Sequence, residues 1–323
     1  MENPIMVSVV IVSWNTRDFL AQCLKSLSRG VCDYPMEVLV VDNASTDGSS
    51  EYVEGNYPAV RLIRNDSNQG FAKANNKGIR LCRGKYICLI NSDVEVLGNC
   101  ITMLVDHCEA NPETGMVGPS IIGGDGTLQR SWRGFPGLWN MFCRALAMDA
   151  AFPRVRIFGG YLMPYRDHVA SGAVPVLSGC FWLVRKEALD GVGMLDEAFF
   201  MYGEDMDWCR RFWTAGWRLD FVPRAEAIHY GGASSASAPV RFFIEKQKAD
   251  LLYWKKHHRW AAQQCYFAIA CLHHLLRALS YSVVAMRKRQ ESGEAGFKVN
   301  RSVQCLKWML SRETLRSVIR GTV

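Results

Sequence analysis

No two of the 12 cysteines are spaced as Cys-x-x-Cys. Disulfide frameworks and zinc sites use closer, patterned spacing, so the expected state is reduced thiols acting as small apolar side chains in a cytosolic protein. No segment recurs at a fixed period, which excludes a solenoid. With 27 Gly and 11 Pro in 323 residues, a collagen-like chain is excluded as well. Charged residues make up only 21% against 49% hydrophobic, so the chain can bury a core and is not intrinsically disordered. The apolar opening Met6–Val12 is too short for a secretory signal and has no cleavage site. Acidic residues are scarce in one region. From Arg241 onward there are 16 Lys and Arg against 5 Asp and Glu, whereas the remainder holds 22 against 26. A mildly acidic body carrying a basic tail points to an anionic partner surface.

The length suits one large α/β domain with an appendage. Val7–Val12 is a β-branched run broken only by Ser8, as expected of a strand buried on both faces. Apolar residues from Thr16 to Leu27 follow helical spacing and stop at Gly30. The same reading gives strands over Glu37–Val41, Val60–Ile63 and Lys85–Ile90, and helices over Ser49–Glu54 and Phe71–Cys82. This alternation predicts a mostly parallel sheet flanked by helices, with ligands at the carboxyl ends of its strands. Gly123–Gly172, rich in Gly, Arg and aromatics, breaks the rhythm and predicts a substrate-side lid with some helix around Leu138–Met148. Regular structure is expected again over Val174–Val184, in a helix over Glu204–Ala215, and in short strands near Leu219 and Ile228. Gly231–Ser235 reads as a hinge, followed by helices over about 240–258, 260–288 and 300–319.

Four clusters carry candidate chemistry. Asp42 opens Asp-Asn-Ala-Ser-Thr-Asp-Gly at a strand end, where a carboxylate can accept from the N3–H of a uracil or thymine ring; Asp42, Asn43 and Ser45 can equally cap a turn. Asn91-Ser92-Asp93-Val94-Glu95 follows an apolar strand, and two acids at i and i+2 can share Mg²⁺ or Mn²⁺. Glu204-Asp205-Met206-Asp207 puts three acids at a predicted helix start, where they suit the dipole and can also raise one another's pKa toward that of a general base. His229, after Pro223, is a structural histidine or a third metal ligand if the chain returns to Asp93.

In order, VSVVIVSWN, VVDNASTDGS, NQGFAKANNKGI, GKYICLINSDVEV, SGCFWLVRKEAL and DEAFFMYGEDMDWCRRFWTAGW resemble family-2 glycosyltransferases of the GT-A fold, nearest to the bacterial rhamnosyltransferase-like branch. The resemblance covers about residues 6–120 and 172–235. It implies a GT-A domain over 1–235; the charge and apolar pattern beyond it reads independently as a basic amphipathic helical tail over 236–323. The resemblance also implies an inverting transfer, typically from dTDP-L-rhamnose to a lipid-linked saccharide in cell-envelope glycan synthesis. By position, Ser13, Trp14, Asn15 and Asp42 would line the base pocket. Lys73 and Asn76 would lie near ribose and diphosphate, and Asn91, Ser92, Asp93 and Gly179 would complete the donor site. Asp93, Glu95 and His229 would hold Mg²⁺ or Mn²⁺. Asp205 would be the catalytic base, with Glu204, Asp207 and Trp182 orienting it or the acceptor. The sequence departs from the family's Asp-x-Asp motif in having Asn91 as the first residue.

The tail contains one long apolar stretch, Cys265–Met286, interrupted by His273, His274 and Arg277 and flanked by basic clusters with aromatics. This pattern predicts a helix lying in the interface of an anionic leaflet on the cytoplasmic side of the membrane. A homodimer or packing module through these helices, or a true span, are the alternatives. Arg130, Arg133, Arg154, Arg156 and Arg166 are expected to meet a lipid diphosphate. The tail's charges alternate with apolar faces, which excludes a nucleic-acid partner. A UDP-hexose donor and a non-catalytic nucleotide-sugar binder are the other functional readings.

Overall fold

A computed structural model describes residues 4–30, 32–166, 170–232, 239–287 and 292–321. The chain forms two compact units, Met1–Arg133 with Asp167–Ala236 and Gly134–Arg166 with Ser237–Val323. The first unit begins with β1 (Val7–Ser13), α1 (Arg17–Arg29), β2 (Met36–Asp42), α2 (Ser49–Asn56), β3 (Arg61–Arg64), α3 (Phe71–Ile79), β4 (Tyr86–Asn91) and β5 (Val94–Val96). It continues through α4 (Cys100–Ala110), β6 (Thr114–Gly123), β7 (Leu128–Gln129) and β8 (Trp132–Arg133). After α5 (Leu138–Ala145) and α6 (Met148–Ala151) of the second unit, it resumes with β9 (Gly172–Ala173), β10 (Val176–Leu177), β11 (Phe181–Arg185), α7 (Lys186–Val192), α8 (Glu204–Thr214) and β12 (Arg218–His229).

Strands of the main sheet run β3-β2-β1-β4-β11-β6-β12-β5, with β7 on β6 and β9 on β12; β8 and β10 form a separate ribbon. β1, β2, β3 and β4 are parallel, and β11 is antiparallel to both its neighbours. Val7, Val9, Val10 and Ile11 are all fully buried, so β1 is covered on both faces as its β-branched run requires. Each such side chain stabilises the fold by roughly 1.5–3 kcal/mol. Leu20, Cys23, Leu24 and Leu27, at i, i+3, i+4 and i+7 of α1, form the covering stripe. The sheet brings the carboxyl ends of β1, β2 and β4 side by side, with Ser13 opposite Asp42 and Val12 opposite Asn91.

Several expectations change. The two short strands near Leu219 and Ile228 are one strand, β12, whose register shifts between Val222 and Glu226. Pro223 lies in that shift, where a residue without an N–H leaves the ladder. The Val174–Val184 stretch is two strands, β10 and β11, separated by a turn that carries Gly179. Ala147, in the left-handed region at φ +57°, divides the helix expected over Leu138–Met148. Within the expected lid, β7 and β8 are strands of the first unit. Of the Gly231–Ser235 hinge, both glycines have positive φ, and residues 233–235 lie outside the described residues.

The second unit adds α9 (Pro239–His257), α10 (Trp260–Arg287), α11 (Ser292–Met309) and α12 (Arg312–Arg320). The helix expected over 300–319 is broken after Met309, where Ser311 caps α12 by accepting from Thr314 N–H. Trp254 stacks on Tyr266 at 4.8 Å and on His258 at 4.1 Å, tying α9 to α10. By length and composition, Trp260–Met286 is long and apolar enough to cross a membrane.

Candidate active site

The β1 and β2 ends are closed by a local polar lattice. Asn15 takes φ +51°, a conformation asparagine tolerates, and its Oδ1 accepts Thr46 N–H at 2.8 Å while its own N–H donates to Ser45 Oγ at 2.9 Å. Ser13, Thr16 and Ser92 hydroxyls form a chain at 3.0 and 2.8 Å, linking the β1 end to the segment after β4. Trp14 is half-buried beside them. Asp42 is buried; its Oδ2 accepts from Ser50 Oγ at 2.9 Å and Ser45 N–H at 3.3 Å, but its Oδ1 has no hydrogen-bond partner among the described residues. An unpaired buried acceptor costs about 1–3 kcal/mol, so this oxygen is a place for a ligand N–H.

Asn43 is saturated by Asn65, Asn68 and Gln69 and latches the loop before α3. That loop lies so close to residue 200 that a Cβ on Gly70, at φ +81°, would sit 2.4 Å from Phe200 O. On α3, Lys73 is exposed, whereas Asn76 is buried and holds the Leu195 backbone and Glu197.

Asn91 N–H donates to Cys180 O at 3.0 Å, which sets the β10–β11 turn against the β4 end. A Cβ on Gly179 would lie 3.3 Å from the Trp182 ring and 3.5 Å from Asp205 Cβ. Gly179, Trp182 and Asp205 therefore share one small wall. The Trp182 indole N–H is buried with no partner among the described residues. Asp205 and Glu204 open α8, where the dipole favours acids. Asp205 Oδ1 accepts Met206 N–H at 2.8 Å, and Oδ2 accepts from Arg133 on β8. Burial, and then the Asp205 charge, push the Glu204 carboxyl up to about 8; its Oε2 is unpartnered. Burial and the Asp205 charge thus favour the neutral form of Glu204 beside the Arg133–Asp205 ion pair. Asp207 is fully buried on Arg211, which also caps the Val192, Gly193 and Met194 carbonyls and so fixes α8 to the α7 end.

β12 pairs with β5 so that His229 meets Val94, and Tyr230 N–H donates to Asp93 O. His229 Nε2 lies 3.4 Å from Asp93 Oδ1. The expected trio is not assembled: Glu95 accepts instead from Tyr230 OH at 3.1 Å, and no group of three His, Cys, Asp or Glu able to hold a metal occurs among the described residues. The cause is the strand geometry, since alternate residues of β5 project together but Asp93 lies before its start. A carboxylate oxygen and an imidazole nitrogen 3.4 Å apart nevertheless fit two sites on one Mg²⁺ or Mn²⁺, the other positions falling to ligand oxygens. No sequence pattern marks Gln129, whose amide brackets His229, or the Arg133 contact with Asp205. Partners 100 and 72 residues away leave no local pattern.

The description "Glycosyl transferase family 2" matches residues 8–193. An N-acetylglucosaminyl-diphospho-decaprenol L-rhamnosyltransferase of Mycobacterium tuberculosis is 30% identical over 267 residues, 78% of this chain and 85% of its own. The mannosyltransferase PcManGT of Pyrobaculum calidifontis, solved with GDP-Man and Mn²⁺, superposes with a TM-score of 0.56 at 16% identity, covering 96% of this chain and 89% of that one. GalNAc-T7, solved with UDP, GalNAc and Mn²⁺, gives 0.54 at 17% identity over 79% and 52%. The fold is GT-A, and the strand-end site with its Glu-Asp helix start lies within it. The chain belongs to glycosyl transferase family 2 and resembles its rhamnosyltransferases.

Proposed function

We propose that the protein is an inverting glycosyltransferase that moves L-rhamnose from dTDP-rhamnose to a lipid-linked saccharide in cell-envelope glycan synthesis. One observation carries this reading: the β10–β11 turn lies against Asn91 by a backbone hydrogen bond and against Asp205 through Gly179, so the strand-end and helix-start segments meet at one place. The likeness to a rhamnosyltransferase that acts on a diphospho-decaprenol sugar supports the donor and acceptor classes.

In this reading Asp42 Oδ1 accepts the imide N–H of thymine. Trp14 and Asn15 flank the base, Ser13 and Ser92 hold the loop that carries it, and Lys73 faces the diphosphate. Asp93 and His229 would hold Mg²⁺ or Mn²⁺, which supplies charge to the departing diphosphate. Gly179 leaves room for the sugar against the Trp182 ring, whose N–H donates to a sugar or acceptor hydroxyl. Asp205 takes the proton of the attacking hydroxyl, so that one displacement inverts the anomeric carbon without a covalent enzyme intermediate. Glu204, neutral, donates beside it, and Asp207 maintains α8 through Arg211.

The second unit would hold the enzyme on an anionic leaflet at the cytoplasmic face. Its sequence has 20 Lys and Arg against 6 Asp and Glu. Among the described residues it also carries 13 of the 16 exposed large hydrophobic side chains. Leu275, Leu279, Val283 and Met286 form an exposed stripe on α10 at helical spacing. Burial holds His273 at about 3 and His274 at about 4, so neither adds charge to that helix at pH 7. An interfacial helix suits this pattern.

A thermal-shift panel of dTDP- and UDP-sugars with Mn²⁺ tests the donor, because a ligand stabilises the state it binds. The expected result is the largest rise with dTDP-rhamnose. A larger rise with a UDP-hexose would replace the donor, and binding without transfer to any polyprenyl-diphosphate sugar would leave a nucleotide-sugar binder.

A further inference from the structure

Gln129, Ser131 and Arg133 stand at alternate positions of the short segment that runs from β7 into β8. Each makes a defined contact. Gln129 Nε2 donates to His229 O at 2.9 Å, which turns its Oε1 toward His229 Nδ1 at 3.2 Å. Ser131 Oγ accepts Ile121 N–H at 2.9 Å and Ser131 O accepts Ser178 N–H at 2.8 Å, fastening the middle of the segment to β6 and to the turn before β11. Arg133, held opposite Val176 in the β8–β10 ribbon, donates to Asp205 Oδ2.

The Gln129 amide has only one useful orientation, because its NH₂ is committed to a carbonyl. Its oxygen therefore calls for a proton on His229 Nδ1, which leaves Nε2, 3.4 Å from Asp93 Oδ1, as the nitrogen that would share a cation with that carboxylate. At the other end, the planar guanidinium restricts Asp205 to one rotation about its side chain. One oxygen is then held by the helix backbone and the other by Arg133.

We propose that residues 129–133 form a positioning strap that fixes the His229 tautomer at one end and the Asp205 carboxylate at the other. The cation side and the base side of the site are thereby set by one short piece of chain. Gln129 acts through His229, and Arg133 acts through Asp205. The inference rests on Asp205 and His229 having the roles given above.

The test uses the full chain. In protein saturated with Mg²⁺ and labelled with ¹⁵N-histidine, with His229→Ala supplying the assignment, the wild type shows a single Nδ1–H tautomer, and Gln129→Leu loses it. Mn²⁺ titration followed by electron paramagnetic resonance gives a 10–100-fold weaker Kd for Gln129→Leu. Gln129→Asn, one methylene shorter, gives the same result where the leucine variant does not fold. Arg133→Ala lowers kcat at least 100-fold with the dTDP Kd unchanged, and added guanidinium restores part of it. An unmoved tautomer and unmoved Mn²⁺ affinity overturn the strap at Gln129. A loss of kcat that guanidinium leaves untouched overturns it at Arg133. Asp205→Asn and His229→Ala are assayed alongside: if these retain transfer, the reading of the site fails, whereas if they lose it and the strap variants do not, only the strap fails.

Discussion

Glu204→Gln should make folding stability less dependent on pH. The carboxyl of Glu204 is fully buried and pushed up from 4.5 to about 8 by burial and by the neighbouring Asp205 charge. Below pH 4.5 the folded and unfolded chains both carry this proton, and it contributes nothing to the pH dependence. Between pH 4.5 and 8 the unfolded chain has lost the proton and the folded chain keeps it. Stability therefore falls as pH rises, by about 1.4 kcal/mol per pH unit, and levels off above pH 8. Across the whole window the loss is on the order of 5 kcal/mol, a large share of the stability of a typical domain. Glutamine has nearly the same shape and no proton to lose. Urea denaturation at pH 5, 6.5 and 8, followed by tryptophan fluorescence, should give variant and wild type similar midpoints at pH 5. The variant should then gain a progressively higher midpoint toward pH 8. A difference that is constant with pH would refute the argument, because it would mean that Glu204 is ionised in the folded protein.

Gly179→Ala would bring a methyl group 3.3 Å from the Trp182 ring and 3.5 Å from Asp205 Cβ; a displacement of a few tenths of an ångström should lower kcat about 10–100-fold with little change in melting temperature, measured by transfer assay and calorimetry. Gly70→Ala would place Cβ 2.4 Å from Phe200 O in a left-handed backbone, and a loss of at least 2 kcal/mol is expected in urea denaturation. Asp207→Ala removes the buried partner of Arg211 and should cost about 3–5 kcal/mol while the dTDP Kd, read by titration calorimetry, stays the same. In flotation with phosphatidylglycerol vesicles, Leu279→Glu combined with Val283→Glu should move most of the protein to the soluble fraction; unchanged recovery with vesicles, or a loss of dimer in sedimentation, would make that face an interface between copies.

How much was legible in the sequence depended on how locally each feature is determined. β1, β2 and β4 are predominantly apolar runs that a strand buried on both faces explains, and their expected bounds differ from the observed ones only at the ends. β6 escaped because Gly115, Gly118 and Pro119 disguise it; the glycines are needed where Trp217 and Leu177 approach within about 3 Å of a Cβ. β12 was read as two pieces because Pro223 looks like a break, whereas the sheet absorbs it as a register shift. At the site, the Asp42, Asp93 and Glu204-Asp205 segments were recognisable as short polar clusters after apolar strands or at a helix start. Their division of labour was not. Glu95 stands two residues from Asp93 yet turns to Tyr230, and Asp207 stands two residues from Asp205 yet turns to Arg211. Gln129 and Arg133 acquire their roles only when β7 and β8 fold against β6 and β10.

Calorimetric titration of dTDP with Mn²⁺ into wild type, Asp93→Ala and Asp205→Asn, paired with single-turnover rhamnosyl transfer by each, tests the central assignment most directly. Asp93→Ala should bind dTDP at least 10-fold more weakly, whereas Asp205→Asn should bind it as wild type does and transfer at least 1,000-fold more slowly. Undiminished transfer by Asp205→Asn, or undiminished Mn²⁺-dependent binding by Asp93→Ala, would contradict it.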